Sequence, residues 1–316
     1  MSLKNIFAQL NIIGQCRKHG LSPWQCPQFL FFLMGIIIVC STLVAYFVGT
    51  RYIEEPEWVA LTVLLFALLL FIIAVIITRS FEKLAETNRM KSEFINIISH
   101  QLRSPLSNLK WTIELLMSGR LGKIEKDQVE YFGILKENSG RMEELVSDLL
   151  IVSRIEAATL PLKKEETLLE DLVNELISEF QLFAKASNVK IEFEIQKDLP
   201  KILTDPSQVH LVIENLLDNA TRYIKNSGKV NILLKKRDKN LYFEIKDNGV
   251  GIPKKDQKYV FQKFFRSENV LRQQTQGSGL GLYISRAIIE KLGGKVGFKS
   301  QENEGSTFWF TLPLKS

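Results

Sequence analysis

The sequence predicts a membrane protein of three parts: two transmembrane helices, an all-α dimerisation hairpin forming a four-helix bundle, and an α/β sandwich domain. Three observations predict it. Residues 29–49 and 58–78 are uncharged apolar runs, each reaching the ~20 residues that a helix needs to cross a ~30 Å hydrocarbon layer. Apolar residues then recur at steps of three, four or seven up to Ile155, a coiled-coil-like stripe. After Pro161 helical and alternating segments follow one another around Gly-rich loops, the pattern of a two-layer domain.

Residues 1–28 carry Leu3, Ile6, Phe7, Leu10 and Ile13 at helical spacing with polar residues between them. This predicts a short helix on the inner membrane surface, a cytoplasmic N-terminal segment. The first span lacks a small-residue cleavage site before Arg51, which separates it from a cleaved signal peptide.

Lys4, Arg17 and Lys18 precede the first span, and Arg79, Lys83, Arg89 and Lys91 follow the second. The connector TRYIEEPE, residues 50–57, holds one base and three acids. The positive-inside rule places both termini in the cytoplasm of a bacterial-type inner membrane. The short extracytoplasmic loop has no room for a folded sensor domain, which needs several tens of residues. Cys16, Cys26 and Cys40 form no CxxC pair and are expected to stay reduced.

The formal net charge of the 316 residues is +6, yet beyond residue 80 the bases are scattered among acids without an aromatic-interleaved patch. No direct nucleic-acid partner is expected. The juxtamembrane bases suit anionic membrane lipids instead.

Residues 79–160 form the expected hairpin. Ile95, Ile98, Leu102, Leu109, Ile113 and Leu116 make one stripe, SGRLGKIEK breaks it, and Val129, Phe132, Leu135, Met142, Leu145, Leu149 and Val152 rebuild it. Two helices cannot bury both stripes alone, so a second copy completes a four-helix bundle and the chain is expected to be a homodimer. Residues 161–316 are the sandwich domain, with helical LLEDLVNELISEFQLFAKA and PSQVHLVIENLLDNATRYI, and strands VKIEFEI, KVNILLKK, NLYFEIK, KVGFKS and STFWFTLPL.

The chemistry concentrates in five stretches. In DNGVGI, residues 247–252, Asp247 directly precedes Gly249 and Gly251, which let backbone approach a ligand closely. In GSGLGL, residues 277–282, Gly277, Gly279, Leu280 and Gly281 lead into a helix whose N–H groups can receive phosphate oxygens. FQKFFRSENVLRQQTQ, residues 261–276, pairs an aromatic cluster including Phe264 with polar sequence suited to a mobile lid. ENLLDNATRY, residues 214–223, sets Asn215 and Asn219 at i and i+4, with Arg222 and Tyr223 beside the second. A neutral amide oxygen next to triphosphate can complete an Mg2+ shell. FINIISHQLRSPL, residues 94–106, carries His100, one of three histidines; a neutral imidazole nitrogen keeps a nucleophilic lone pair near pH 7. His19 near the membrane and His210 within a helix of the sandwich domain have no comparable setting.

Taken together and in this order, these stretches resemble the sensor histidine kinases of two-component signalling. ENLLDNA resembles the N box, DNGVGI and GSGLGL the glycine boxes, and FQKFF the F box of their Bergerat-type ATP-binding domain. FINIISHQLRSPL resembles the phosphoacceptor box, and SRIEA, residues 153–157, the end of the dimerisation hairpin. No Walker A motif competes. The resemblance implies ATP and Mg2+ as cofactors, Asn219 on the metal, Arg222 on the phosphates and Asp247 on the adenine amino group. It further implies autophosphorylation of His100 and transfer to an aspartate on a response-regulator receiver domain.

Two positions depart from the family. Where it usually has Glu or Asp, this chain has Gln101. The amide can orient the imidazole but not take its proton, so slow autophosphorylation is expected. Ser104 stands where Thr or Asn often positions water, implying weak phosphatase activity toward the regulator; its other reading is a helix-bend residue before Pro105. The alternative for the whole chain is a nucleotide-binding dimeric scaffold with impaired autokinase activity, supported by Gln101. A gyrase-type ATPase is the third reading, and the chain has no room for its transducer domain.

Overall fold

The computed structural model describes residues 27–53, 55–267 and 277–314. The surface helix expected within residues 1–28 and most of the expected lid, residues 268–276, lie outside them.

Helix α1 runs from Pro27 to Tyr52 and α2 from Pro56 to Met117. Both extend beyond the apolar runs, because nothing polar in Thr50-Arg51-Tyr52 stops a helix and Pro56 sits at a helix start, where its missing N–H costs nothing. Phe31–Tyr52 and Pro56–Leu84 are long and apolar enough to span a bilayer. Phe47, Leu43, Leu64 and Leu69 are exposed on them, as lipid-facing residues would be. Helix α2 continues through Pro105, which offers no N–H to the carbonyl of Gln101 one turn earlier.

After the turn at residues 118–125, α3 spans Lys126–Glu156. Its start is marked by Gln128, whose Oε1 accepts the N–H of Glu125 at 3.0 Å, as in half of a capping box. Lys136–Glu114 at 3.2 Å and Lys110–Glu143 at 3.4 Å tie α3 to α2, and Ile113 is buried between them. Leu102, Leu109, Leu135, Met142 and Leu145 of the two stripes remain exposed.

The sandwich contains β1 (Glu165–Thr167), α4 (Leu169–Ala186), β2 (Val189–Ile195), β3 (Ile202–Thr204), α5 (Pro206–Arg222), β4 (Gly228–Arg237), β5 (Asn240–Asp247), α6 (Gly281–Lys291), β6 (Lys295–Gln301) and β7 (Gly305–Pro313). The main sheet has the order β2-β4-β5-β7-β6, with β2 parallel to β4 and all other pairs antiparallel. The expected strands and helices are all present. The short antiparallel pair β1–β3 was not expected, since three residues are too few to display a period of two.

Alternation along β4, β5 and β7 turns Val230, Ile232, Leu234, Phe243, Ile245, Phe308 and Phe310 to one face, and α4, α5 and α6 cover it with Leu176, Ile213, Leu217 and Ile288. Phe243 and Phe310 stack at 4.9 Å. Each such fully buried side chain contributes about 1.5–3 kcal/mol relative to exposure. Asp205 caps α5, its Oδ1 accepting from Gln208 N at 3.2 Å, while its Oδ2 accepts from Lys163 N at 2.6 Å.

The chain divides into two compact units: Met1–Ile98 with Glu156–Thr159, and Ser99–Ile155 with Leu160–Ser316. Residues 99–155 of the hairpin group with the sandwich. The reason is packing: Val152 belongs to the sandwich core, and Ile151 and Ile155 lie against it.

Candidate functional site

His100, Gln101 and Ser104 are all exposed on α2. Helical rise places Ser104 one turn beyond the imidazole, on the same side of the helix. His100 is thus open to an incoming phosphoryl group, and water can reach its ring.

A cavity of about 890 Å³ lies in the same compact unit, within the size range of small-molecule sites. Helix α5 brings Asn215, Asn219 and Arg222 to its wall, followed by Tyr223; Asp247 comes from the end of β5, and Gly251, Gly277, Gly279 and Gly281 from the two glycine loops. Side chains of α3, among them Glu144 and Asp148, complete the lining.

Asp247 is 6% exposed. Its Oδ1 accepts N–H groups of Gly249 at 2.8 Å and Ser306 at 3.2 Å, leaving Oδ2 for a ligand. Burial pushes its carboxyl up to about 6, against the lowering effect of those two backbone donors. Asn215 Nδ2 is buried without a partner, and a Cβ on Gly281 would come within 2.9 Å of Asn215 Oδ1, so the helix start at Gly281 can approach α5 only without a side chain. Gly279 has φ +68°, and its Cβ would meet the backbone of Phe264 at 2.9 Å, a conformation that favours glycine.

Arg222 is already held: its Nη2 lies 2.7 Å from Asp218 Oδ2. Burial raises the carboxyls of Glu144 and Glu214 at the same wall, and Asp218 adds to the effect on both. Among the described residues no cluster of three or more Asp, Glu, His or Cys could hold a metal by itself. An Mg2+ ion fits only with phosphate oxygens as its further ligands beside Asn219, which matches its preference for oxygen and its habit of sharing substrate phosphates.

Three of the expected residues fall elsewhere. Phe264 is 65% exposed with φ +60° and turned away; the ring at the cavity wall is that of Phe265, whose centroid lies 5.5 Å from that of Tyr259 with the planes tilted by 43°. Leu280 is buried in the core beneath the glycine loop, and Gly249 packs on the carbonyl of Tyr223 and the Asp247 side chain. These two shape the loops from behind.

Sequence reasoning missed Asp148 and Ser278. Ser278 Oγ donates to Asp148 Oδ2 at 2.8 Å and also receives the N–H of Leu280 at 3.1 Å, so α3 reaches the glycine loop directly. It also missed the neck of the lid, where Arg266 Nη1 donates to Gly277 O at 3.4 Å and Ser267 donates to the buried Asp256.

Residues 90–158 match the His Kinase A (phospho-acceptor) domain, and residues 204–316 the histidine kinase-, DNA gyrase B- and HSP90-like ATPase family. With an exposed histidine on the first and a nucleotide-sized cavity in the second, the chain belongs to the sensor histidine kinases. It is 30% identical over 235 residues to the signal transduction histidine-protein kinase BarA of Escherichia coli (strain K12), covering 72% of this chain and 25% of that protein. To the sensor protein GacS of Pseudomonas syringae pv. syringae it is 30% identical over 234 residues, covering 72% and 26%. The chain thus spans about a quarter of the length of these relatives. The crystal structure of full-length ShkA in complex with AMPPNP is similar at a TM-score of 0.59 and 26% identity, covering 70% of this chain and 45% of that one.

Proposed function

We propose that this chain is a membrane-anchored, homodimeric kinase that moves the γ-phosphoryl group of ATP to His100 and from there to an aspartate of a response-regulator receiver domain. The observation that supports it most is the joining, in one compact unit, of the exposed His100 helix to a cavity lined by Asn219, Asp247 and the glycine loop.

In this reading Asp247 Oδ2 accepts the adenine amino group and the N-terminus of α6 receives phosphate oxygens. Arg222, oriented by Asp218, sets a positive charge beside them, and bound Mg2+ would neutralise further phosphate charge with Asn219 as a ligand. A lone-pair nitrogen of His100 attacks the γ-phosphorus, the bond to the bridging oxygen breaks, and ADP leaves. Phosphoryl transfer asks for position and charge more than for covalent help. Gln101 cannot take a proton, so water beside the exposed ring accepts it. Ser104 supplies a hydroxyl that could hold water against the phosphorylated regulator, giving weak phosphatase activity.

Domain limits follow the same reading: residues 29–49 and 58–78 span a bacterial-type inner membrane with both termini cytoplasmic, 79–160 form the phosphotransfer hairpin and 161–316 the catalytic domain. The exposed stripe of Leu102, Leu109, Leu135, Met142 and Leu145 supports a second hairpin as its cover. The test is a chase: purified chain labelled from γ-labelled ATP should lose label to an added receiver domain carrying its aspartate. Retention of the label would remove the transfer step; ATP binding without labelling would favour the scaffold.

A further inference from the structure

The face of the main sheet opposite the helices is covered by no element among the described residues. Strand register places Lys235 and Lys295 at the two ends of one cross-strand row, and Lys246 and Lys299 on another row four residues along. With about 3.4 Å per residue and about 4.8 Å between strands, the four positions frame an area about 14 Å long, about 14 Å wide at the first row and about 10 Å wide at the second. Between the rows lies Trp309, flat on the sheet because a Cβ on the opposed Gly297 would come within 2.3 Å of its ring. Tyr242 stacks on it at 6.1 Å.

All four lysines are exposed, and none pairs with a carboxylate among the described residues; Lys235 Nζ lies 6.0 Å from the Tyr242 ring centroid. Glu244, between the two rows, accepts the hydroxyl of Tyr242 at 2.5 Å, and on the adjoining β2 Glu192 and Glu194 share the face, Glu192 being paired with Lys190 and Lys229. The surface is therefore flat, basic and centred on an aromatic pair, which complements an extended anionic plane with a less polar layer below it.

The hairpin also determines what such a plane could be. Lys91 Nζ lies 3.5 Å from Glu156 Oε2, so the returning helix delivers the chain to a level only seven residues (91 minus 84) past Leu84, the end of the second apolar segment. At 1.5 Å per residue that is about 10 Å along α2. The sandwich unit resumes at Leu160, four residues after Glu156 in the chain.

We infer that the outer face of the β2-β4-β5-β7-β6 sheet docks on the anionic lipid headgroups of the membrane that α1 and α2 span. The inference rests on the membrane reading above. Trp309, stacked on the largely buried Tyr242, sits at headgroup level, as amphipathic rings do at interfaces, and the lysines face lipid phosphates, an attraction that salt weakens.

The experiment uses the full chain in bilayer nanodiscs of phosphatidylcholine alone or with phosphatidylglycerol, with acetylation of individual lysines followed by mass spectrometry. Each charge near an anionic surface is worth about fivefold, so Lys235, Lys246, Lys295 and Lys299 should react about fivefold more slowly in the anionic discs. High salt should abolish the difference, and Lys123 in the hairpin turn should show none. Equal rates in both discs, with the chain firmly embedded, would overturn the docking alone. Stronger protection by an added oligonucleotide than by anionic lipid would overturn the lipid as occupant. A chain that alkaline washing strips from the bilayer would overturn the membrane reading and the docking with it.

Discussion

Ser278 Oγ donates a 2.8 Å hydrogen bond to Asp148 Oδ2 across 130 residues of sequence, fastening the glycine loop to the phosphoacceptor hairpin. This pair at the mouth of the cavity adds a polar link to the packing of Ile151, Val152 and Ile155 on the sandwich core. A hydrogen bond to a charged group contributes about 1.5–3 kcal/mol, less where water competes. Asp148→Ala should accordingly speed hydrogen exchange at the amides of Gly277–Leu280 by roughly tenfold, measured by mass spectrometry. Unchanged exchange there would mean that the loop holds its shape alone.

Asp247 makes nucleotide affinity pH-dependent. Burial raises its carboxyl to about 6, and in the proposed function it is the ionised form that accepts the adenine amino group. ATP affinity should therefore fall as pH drops through about 6. The effect on folding has the opposite sign: a carboxyl raised in the folded state adds stability below its unfolded value of 3.8, and this is lost as pH rises through about 6. Asp247→Asn should raise the melting temperature of the nucleotide-free chain at neutral pH, flatten its pH dependence to what the raised carboxyls of Glu144 and Glu214 leave, and weaken ATP binding at least tenfold. Calorimetry across pH 4–8 reads all three.

In the proposed function Gln101 limits proton removal from His100. Gln101→Glu should raise the initial rate of autophosphorylation by at least about tenfold, since general-base assistance is typically worth 10²–10⁴-fold. A rate within twofold of the starting chain would show that water serves equally well.

Gly279→Ala combines φ +68° with a Cβ contact at 2.9 Å to the Phe264 backbone. Such strain costs about 1–3 kcal/mol and displaces the loop that receives phosphates. Titration with ATP should show affinity reduced tenfold or more while circular dichroism retains the native helix content.

The hairpin stripe offers a test of assembly. Leu109→Asp with Leu145→Asp buries charge in the proposed four-helix bundle, and sedimentation velocity in detergent should show a monomer in place of a dimer. A persistent dimer would place the second copy elsewhere.

Much of this architecture was legible because each part repeats a strong local signal. The spans show as uncharged runs, the hairpin as spaced Ile and Leu, the main strands as alternation, and Asp247 as a carboxylate set against Gly249 and Gly251. What escaped depends on distance or on one dihedral angle. Nothing around Asp148 distinguishes it from other acids on α3 until the fold brings Ser278 to it. Phe264 and Phe265 are adjacent and chemically alike, and only the positive φ at Phe264 turns the first to solvent and leaves the second at the cavity.

The central claim is tested most directly by locating the phosphoryl group. Purified full-length chain is incubated with γ-labelled ATP, and the label is followed through acid and alkali and mapped to a peptide. Acid-labile, alkali-stable label on the peptide bearing His100, absent in His100→Gln, is the predicted result. Label that survives acid, or that persists in His100→Gln, would contradict it.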